Sequence, residues 1–185
     1  MNISPEEAQA SLAAIQQTRE KMHKSTSVTG YFLIIWGLIW FFGCLSNQYL
    51  SVDDASWVWG IGTTVGWILS AILGIYLGKQ THSAVGARIG LFFLALFGFA
   101  ILWFFVMQPA SFKQDILFVM TIFLFGGVVS GIMTRAPLAC INCLSMAVLI
   151  VLGYYLVPAY FFLWTAIFSG LVMVITGLVL RFRWR

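Results

Sequence analysis

All sixteen Asp, Glu, Lys and Arg side chains of this 185-residue chain fall outside six long apolar stretches. A soluble domain cannot carry that pattern, because 61% hydrophobic and 9% charged residues leave too little polar surface to cover a core of this size. Lipid must solvate the chain instead. An α-helix needs roughly 20 apolar residues to cross the hydrocarbon layer, and six segments qualify: 28–45, 57–77, 89–107, 116–134, 138–156 and 159–180. None alternates apolar with polar at a period of two, which disfavours a transmembrane β-barrel. The expected fold is an all-α integral membrane protein, with three helical hairpins forming a six-helix bundle over 28–180. A short cytosolic amphipathic helix and linker over 1–27 precede it, and a basic cytosolic tail over 181–185 follows.

Nine of the ten bases lie in alternate gaps between the apolar stretches. The N-terminal segment carries Arg19, Lys21 and Lys24, the second gap Lys79 and Arg88, the fourth Arg135, and the C-terminus Arg181, Arg183 and Arg185; the other three gaps share only Lys113. Short loops rich in Lys and Arg resist translocation, so both termini are expected in the cytoplasm and the chain in the cell membrane. The +4 formal charge then belongs to one membrane face, where it meets anionic lipid headgroups. Nucleic acid is not an expected partner. A secretory signal would place a short basic region before its apolar core, whereas residues 1–26 mix three Glu with the bases. The first span is expected to stay as an uncleaved anchor.

Ser4, Pro5, Glu6 and Glu7 place a hydroxyl at an N-cap, proline at the first helical position and a carboxylate one turn on. A helix should run from there to about Lys24, with Leu12, Ile15 and Met22 on its apolar stripe. That stripe either leads passively into the first span or docks a cytosolic partner through residues 4–24. Asp53 and Asp54 suit the cap of a helix starting near Trp57, and Ser111 suits the cap of the fourth span. Only about four residues around Pro158 join the last two spans, which must therefore be antiparallel neighbours.

The sharpest local pattern is in the second span, where Gly62, Gly66, Ser70, Gly74 and Gly78 occupy every fourth position. Small residues at this spacing clear a groove into which a second helix backbone fits, and which lipid tails fill badly. Each four-residue step rotates about 40° around the helix, so one straight partner cannot cover the whole row. Packing within the bundle and a homo-oligomer seam both satisfy it. Gly127 and Gly131 in the fourth span repeat the spacing once and are its expected partner.

Asn142 is the one carboxamide deep in a span, with Ser145 one turn away. It serves either as an interhelical hydrogen bond or, with Ser145, Thr63 and Thr64, as the lining of a polar path. Cys140 and Cys143 form a C-x-x-C pair near a helix start, where the dipole favours thiolate, but no thioredoxin-like βαβ pattern surrounds them. A zinc site would have to add His23 and His82, and no spacing holds these near the thiols, so no metal and no cofactor is expected. Interfacial anchoring and lipid-facing bulk account for most of the eight tryptophans.

No motif matches a known family closely enough to carry over functional residues. With no ionised group inside the spans, carboxylate-coupled transport and acid–base catalysis lose their usual carriers. The remaining specific features are contact surfaces. They point to a non-enzymatic membrane protein acting by helix–helix association, as a homo-oligomer or a subunit of a complex. A channel or carrier for a small uncharged or weakly polar solute is the alternative.

Overall fold

The computed structural model describes the backbone of residues 5–81, 84–108, 111–134 and 137–182, and the side chains within them except at 5–8, 10, 13–29, 77–81 and 84–87. All of its regular structure is helical, and six segments are long and apolar enough to cross a membrane. The first five helices are α1 (Pro5–Tyr49), α2 (Val52–Thr81), α3 (Ala84–Met107), α4 (Phe112–Met133) and α5 (Pro137–Leu156). The sixth span is composite. A 3₁₀ turn (Pro158–Tyr160) leads into α6 (Phe161–Thr165), then a π-helical segment (Ala166–Leu171), then α7 (Val172–Phe182).

Several helix ends lie outside the expected apolar stretches, most consequentially around α1. Rather than a tail helix, a linker and a span, α1 is one 45-residue rod, and no Gly or Pro stands between residues 6 and 29 to break it. At 1.5 Å per residue that rod is about 68 Å long. At its other end α1 runs past the apolar stretch to Tyr49, so Asn47 and Gln48 are helical rather than loop residues. The α1–α2 joint shrinks to Leu50 and Ser51. Ser51, rather than Asp53 or Asp54, caps α2: its hydroxyl accepts from Asp54 N at 3.2 Å and donates to Asp54 Oδ2 at 2.7 Å. Ser111 caps α4 as expected, accepting from Gln114 N.

The core lies between α1, α4, α5 and the sixth span. Trp40 and Cys44 meet Ile116, Met120 and Leu124 of α4, Met146 and Ile150 of α5, and Phe161, Ala166 and Met173. The most extensive packing is of α1 on α7 and of α4 on α5. Neither pair is consecutive within one of the expected hairpins. The fifth and sixth spans are close neighbours, with Trp164 donating its indole N–H to the Leu149 carbonyl at 2.8 Å. α2 leans on α1, and α3 on α4.

Candidate association surfaces

Gly30 and Gly37 are seven residues apart, as are Gly170 and Gly177. Seven residues are close to two full turns, so each pair lies along one stripe of its helix. The two stripes face each other in antiparallel register. A methyl built on Gly30 would lie 2.8 Å from the Gly177 carbonyl oxygen, and one on Gly177 would lie 2.7 Å from that of Gly30. Two turns further along, a methyl on Gly37 would meet the Gly170 oxygen at 2.9 Å, and one on Gly170 the Phe41 nitrogen at 2.6 Å. Backbone therefore rests on backbone over two turns. Beyond this crossing, Arg181 caps the contact by lying 4.8 Å over the Tyr31 ring. These four glycines do not form an i, i+4 row, and the sequence reading missed them; the matched seven-residue gaps at opposite ends of the chain were the available signal.

The row on α2 is split between two environments. Gly62 and Gly66 receive Ile39 of α1, at 3.4 Å and 2.5 Å from where their methyls would sit. One turn on, Ser70 accepts a hydrogen bond from Trp36 Nε1 at 3.1 Å. At Gly74 the row has turned away from α1, and a methyl would meet nothing within 4 Å. The surroundings of Gly78 lie outside the described residues. Gly127 is not the counterpart of this row: it receives Cys143 of α5, its methyl position 2.6 Å from the sulfur; Gly131 is buried on the same helix, α4. Close packing of α4 on α5 takes up Gly127.

Trp36, Trp40, Trp59 and Trp164 are not lipid-facing anchors. Trp36 stacks on Phe123 of α4 (6.2 Å) and meets Trp67 edge-on (5.6 Å), Trp40 is buried, and Trp59 and Trp164 cover Gly43 and Gly153. A flat indole over a glycine fills the space that a side chain would occupy.

What remains uncovered is the flank made by α2 and α3. Among the described residues, only Ala55 and Gly66 of α2 and Ala100 of α3 are buried. The two helices make little contact with one another, and Trp67 touches Phe97 at 5.4 Å between them. Gly60 and Gly74 of α2, and Gly90 and Gly98 of α3, all stand in open space.

The residues read as a polar path do not converge. Thr63 and Thr64 bond back to the carbonyls of Trp59 and Gly60 on their own helix, both at 2.7 Å. Asn142 is half-buried and Ser145 exposed on α5, which does not pack against α2. Cys140 and Cys143 are free thiols facing α4, with Cys140 Sγ 3.4 Å from the Val128 carbonyl. Among the described residues no three His, Cys, Asp or Glu come together. On the N-terminal part of α1, Leu12 is exposed; the side chains of Ile15 and Met22 lie outside the described residues.

Comparisons with protein-family models, curated proteins and solved structures find no match to this chain.

Proposed function

We propose that this multi-pass membrane protein is non-enzymatic and acts by helix–helix association, with the α2–α3 flank as the face that meets a second copy. The observation that carries the reading is the unfilled small-residue surface: Gly74, Gly90 and Gly98 have nothing packed against them. Gly74 and Gly90 are also nearly equidistant from the α2–α3 turn and so lie at similar depth. In lipid, helices associate by close packing rather than by the hydrophobic effect, and grooves left by glycine are where such packing gains most. A long flank of exposed Ile, Leu and Phe surrounds these gaps and supplies contact area.

Replacing Gly74 and Gly98 together by Leu fills the gaps, starting from Cβ positions that have no neighbour within 4 Å. The expected result is at least a tenfold loss of dimer in lipid nanodiscs, read by single-molecule photobleaching, with a thermal unfolding midpoint no lower than that of the wild type. A wild-type chain that stays monomeric at every protein-to-lipid ratio would remove the basis of this reading. A cytosolic protein docked along residues 4–24, where Leu12 is exposed, would be a second association surface. Deleting residues 1–24 is expected to abolish recovery of such a partner by crosslinking and leave dimerisation intact.

The same reading places both termini in the cytoplasm. Its support is the charge asymmetry together with the gathering of Tyr31 and Arg181 at one end, and of Lys113 with Pro158 at the other. Cysteines introduced at Gln9 and at Val52 should be labelled by a membrane-impermeant maleimide in opposite-sided preparations: Val52→Cys in intact cells, Gln9→Cys only after lysis. The reverse pattern would invert the orientation.

A further inference from the structure

A gap separates α2 from α3, and two stripes define it. Gly60, Trp67 and Gly74 stand seven residues apart on α2, as do Gly90, Phe97 and Phe104 on α3, so each trio lies along one side of its helix. The rings of Trp67 and Phe97 meet at 5.4 Å, which turns these two sides toward each other. Only two residues separate Thr81 at the end of α2 from Ala84 at the start of α3, so the helices run antiparallel. Counted from that joint, Gly74 and Gly90 lie at the same level, between it and the ring pair. A methyl at either would meet nothing within 4 Å. The two walls therefore do not touch there.

The gap is bounded at both ends. At one, three Cα–Cα steps hold Thr81 and Ala84 within about 11 Å of each other. At the other, Trp67 is braced by Trp36 of α1, 5.6 Å away, and its contact with Phe97 props the helices apart. A further membrane-spanning helix, about 10–12 Å across with its side chains, can lie on the outside of this pair but cannot pass between rods tied above and below. A single hydrocarbon chain can. The apolar stretch of α3 opens at Arg88, and Phe97 lies nine residues on, or about 13 Å along the helix. That depth is close to half of the roughly 30 Å hydrocarbon layer, the reach of one leaflet. Mobile tails fill a groove on one helix badly, whereas a chain held between two walls gains the dispersion contacts that an empty gap forfeits.

Charge selects the head group. Arg88 is exposed one turn inside the start of α3, Lys79 precedes the joint, and no Asp or Glu occurs between Asp54 and Asp115. The joined ends of α2 and α3 thus carry bases and no acid, at the level where a lipid with its chain in the gap places its head. A guanidinium can hold a phosphate through two parallel hydrogen bonds, and basic residues at a membrane surface attract anionic lipids. We propose that this gap holds one anionic phospholipid, with an acyl chain between Gly74 and Gly90 that ends at the Trp67–Phe97 pair and a phosphate at Arg88. Gly98, one residue on from Phe97, is turned about 100° out of the gap. The lipid leaves that outer face free, and the assignment does not rest on the association of two copies.

Lipid retention tests the assignment. The full chain is moved from vesicles of equal parts phosphatidylglycerol and phosphatidylcholine into mild detergent, and the lipids still bound to each chain are counted by native mass spectrometry. One phosphatidylglycerol per chain is expected, at least tenfold over phosphatidylcholine. Gly74→Leu and Gly90→Leu each fill the gap from one wall and should lower its retention at least tenfold, with a thermal midpoint no lower than that of the wild type. Gly98→Leu should keep the lipid, which separates this site from the association face. Arg88→Gln should abolish the preference between the two lipids. Excess inorganic phosphate should not displace the lipid, because the chain as well as the head is held. A chain that retains no lipid, or retains both kinds equally, overturns the proposal. So does retention that survives both leucine variants, retention lost in Gly98→Leu, a preference unchanged in Arg88→Gln, or displacement by phosphate alone.

Discussion

A single methyl group at position 170 is expected to cost about 3 kcal/mol of stability, whereas the same group at position 98 should cost nothing and add up to about 1 kcal/mol. The sign differs because the surroundings differ. At Gly170 the methyl meets Phe41 N at 2.6 Å and Phe41 Cα at 2.7 Å. These are backbone atoms of a packed helix and cannot rotate away, so α1 and the sixth span must separate along the crossing. At Gly98 there is nothing within 4 Å, and alanine gains its better helix propensity. Gly37→Ala and Gly177→Ala should behave like Gly170→Ala, since their methyls lie 2.9 Å and 2.7 Å from the facing glycine oxygens. Because Gly37 and Gly170 share one contact, the double variant should cost less than the sum of the singles. Reversible unfolding in mixed micelles, followed by tryptophan fluorescence, measures this series. A Gly170→Ala chain as stable as wild type would show that the two helices are not in backbone contact.

Removing the Trp36 side chain is expected to be comparably damaging, at about 3–5 kcal/mol for Trp36→Ala. This residue joins three helices: it belongs to α1, stacks on Phe123 of α4 and donates to Ser70 of α2. Its ring also packs 3.6 Å from where a methyl on Gly66 would sit. The hydrogen bond is the smaller part, since interhelical bonds in membranes average about 0.6 kcal/mol. Trp36→Phe and Ser70→Ala should therefore each cost far less than Trp36→Ala. Trp67→Ala should also be milder, because that indole is 39% exposed to the surrounding lipid. If Trp36→Phe were as destabilising as Trp36→Ala, the hydrogen bond rather than the ring packing would hold α2 in place.

The spans were legible because one physical requirement, a charge-free helix of membrane length, acts on each segment separately and leaves its mark in local sequence. Their ends were less so. Asn47 and Gln48 read as loop because they are polar, yet α1 continues through them, with Gln48 Nε2 donating to the Ala159 carbonyl at 3.4 Å. Ser51 rather than Asp53 or Asp54 became the cap because α2 starts one turn earlier than its apolar stretch. The glycine row of α2 was visible, whereas its division between Ile39 and open space depends on the angle at which α2 leaves α1.

The pairing of Gly30 with Gly177 and of Gly37 with Gly170 lay beyond local reading for a different reason. Within either helix a seven-residue gap between glycines has no meaning. It acquires one only when two stripes, about 140 residues apart in the chain, are brought together antiparallel. Composition and charge position determine that the chain is helical, sits in lipid and has six spans, since the cost of burying a charge or an unpaired backbone group in hydrocarbon is paid residue by residue. Which helices touch, and which glycines are crossed and which are bare, are decided by tertiary packing. In lipid that packing is selected by close fit between surfaces, and fit belongs to a pair of helices rather than to either sequence alone.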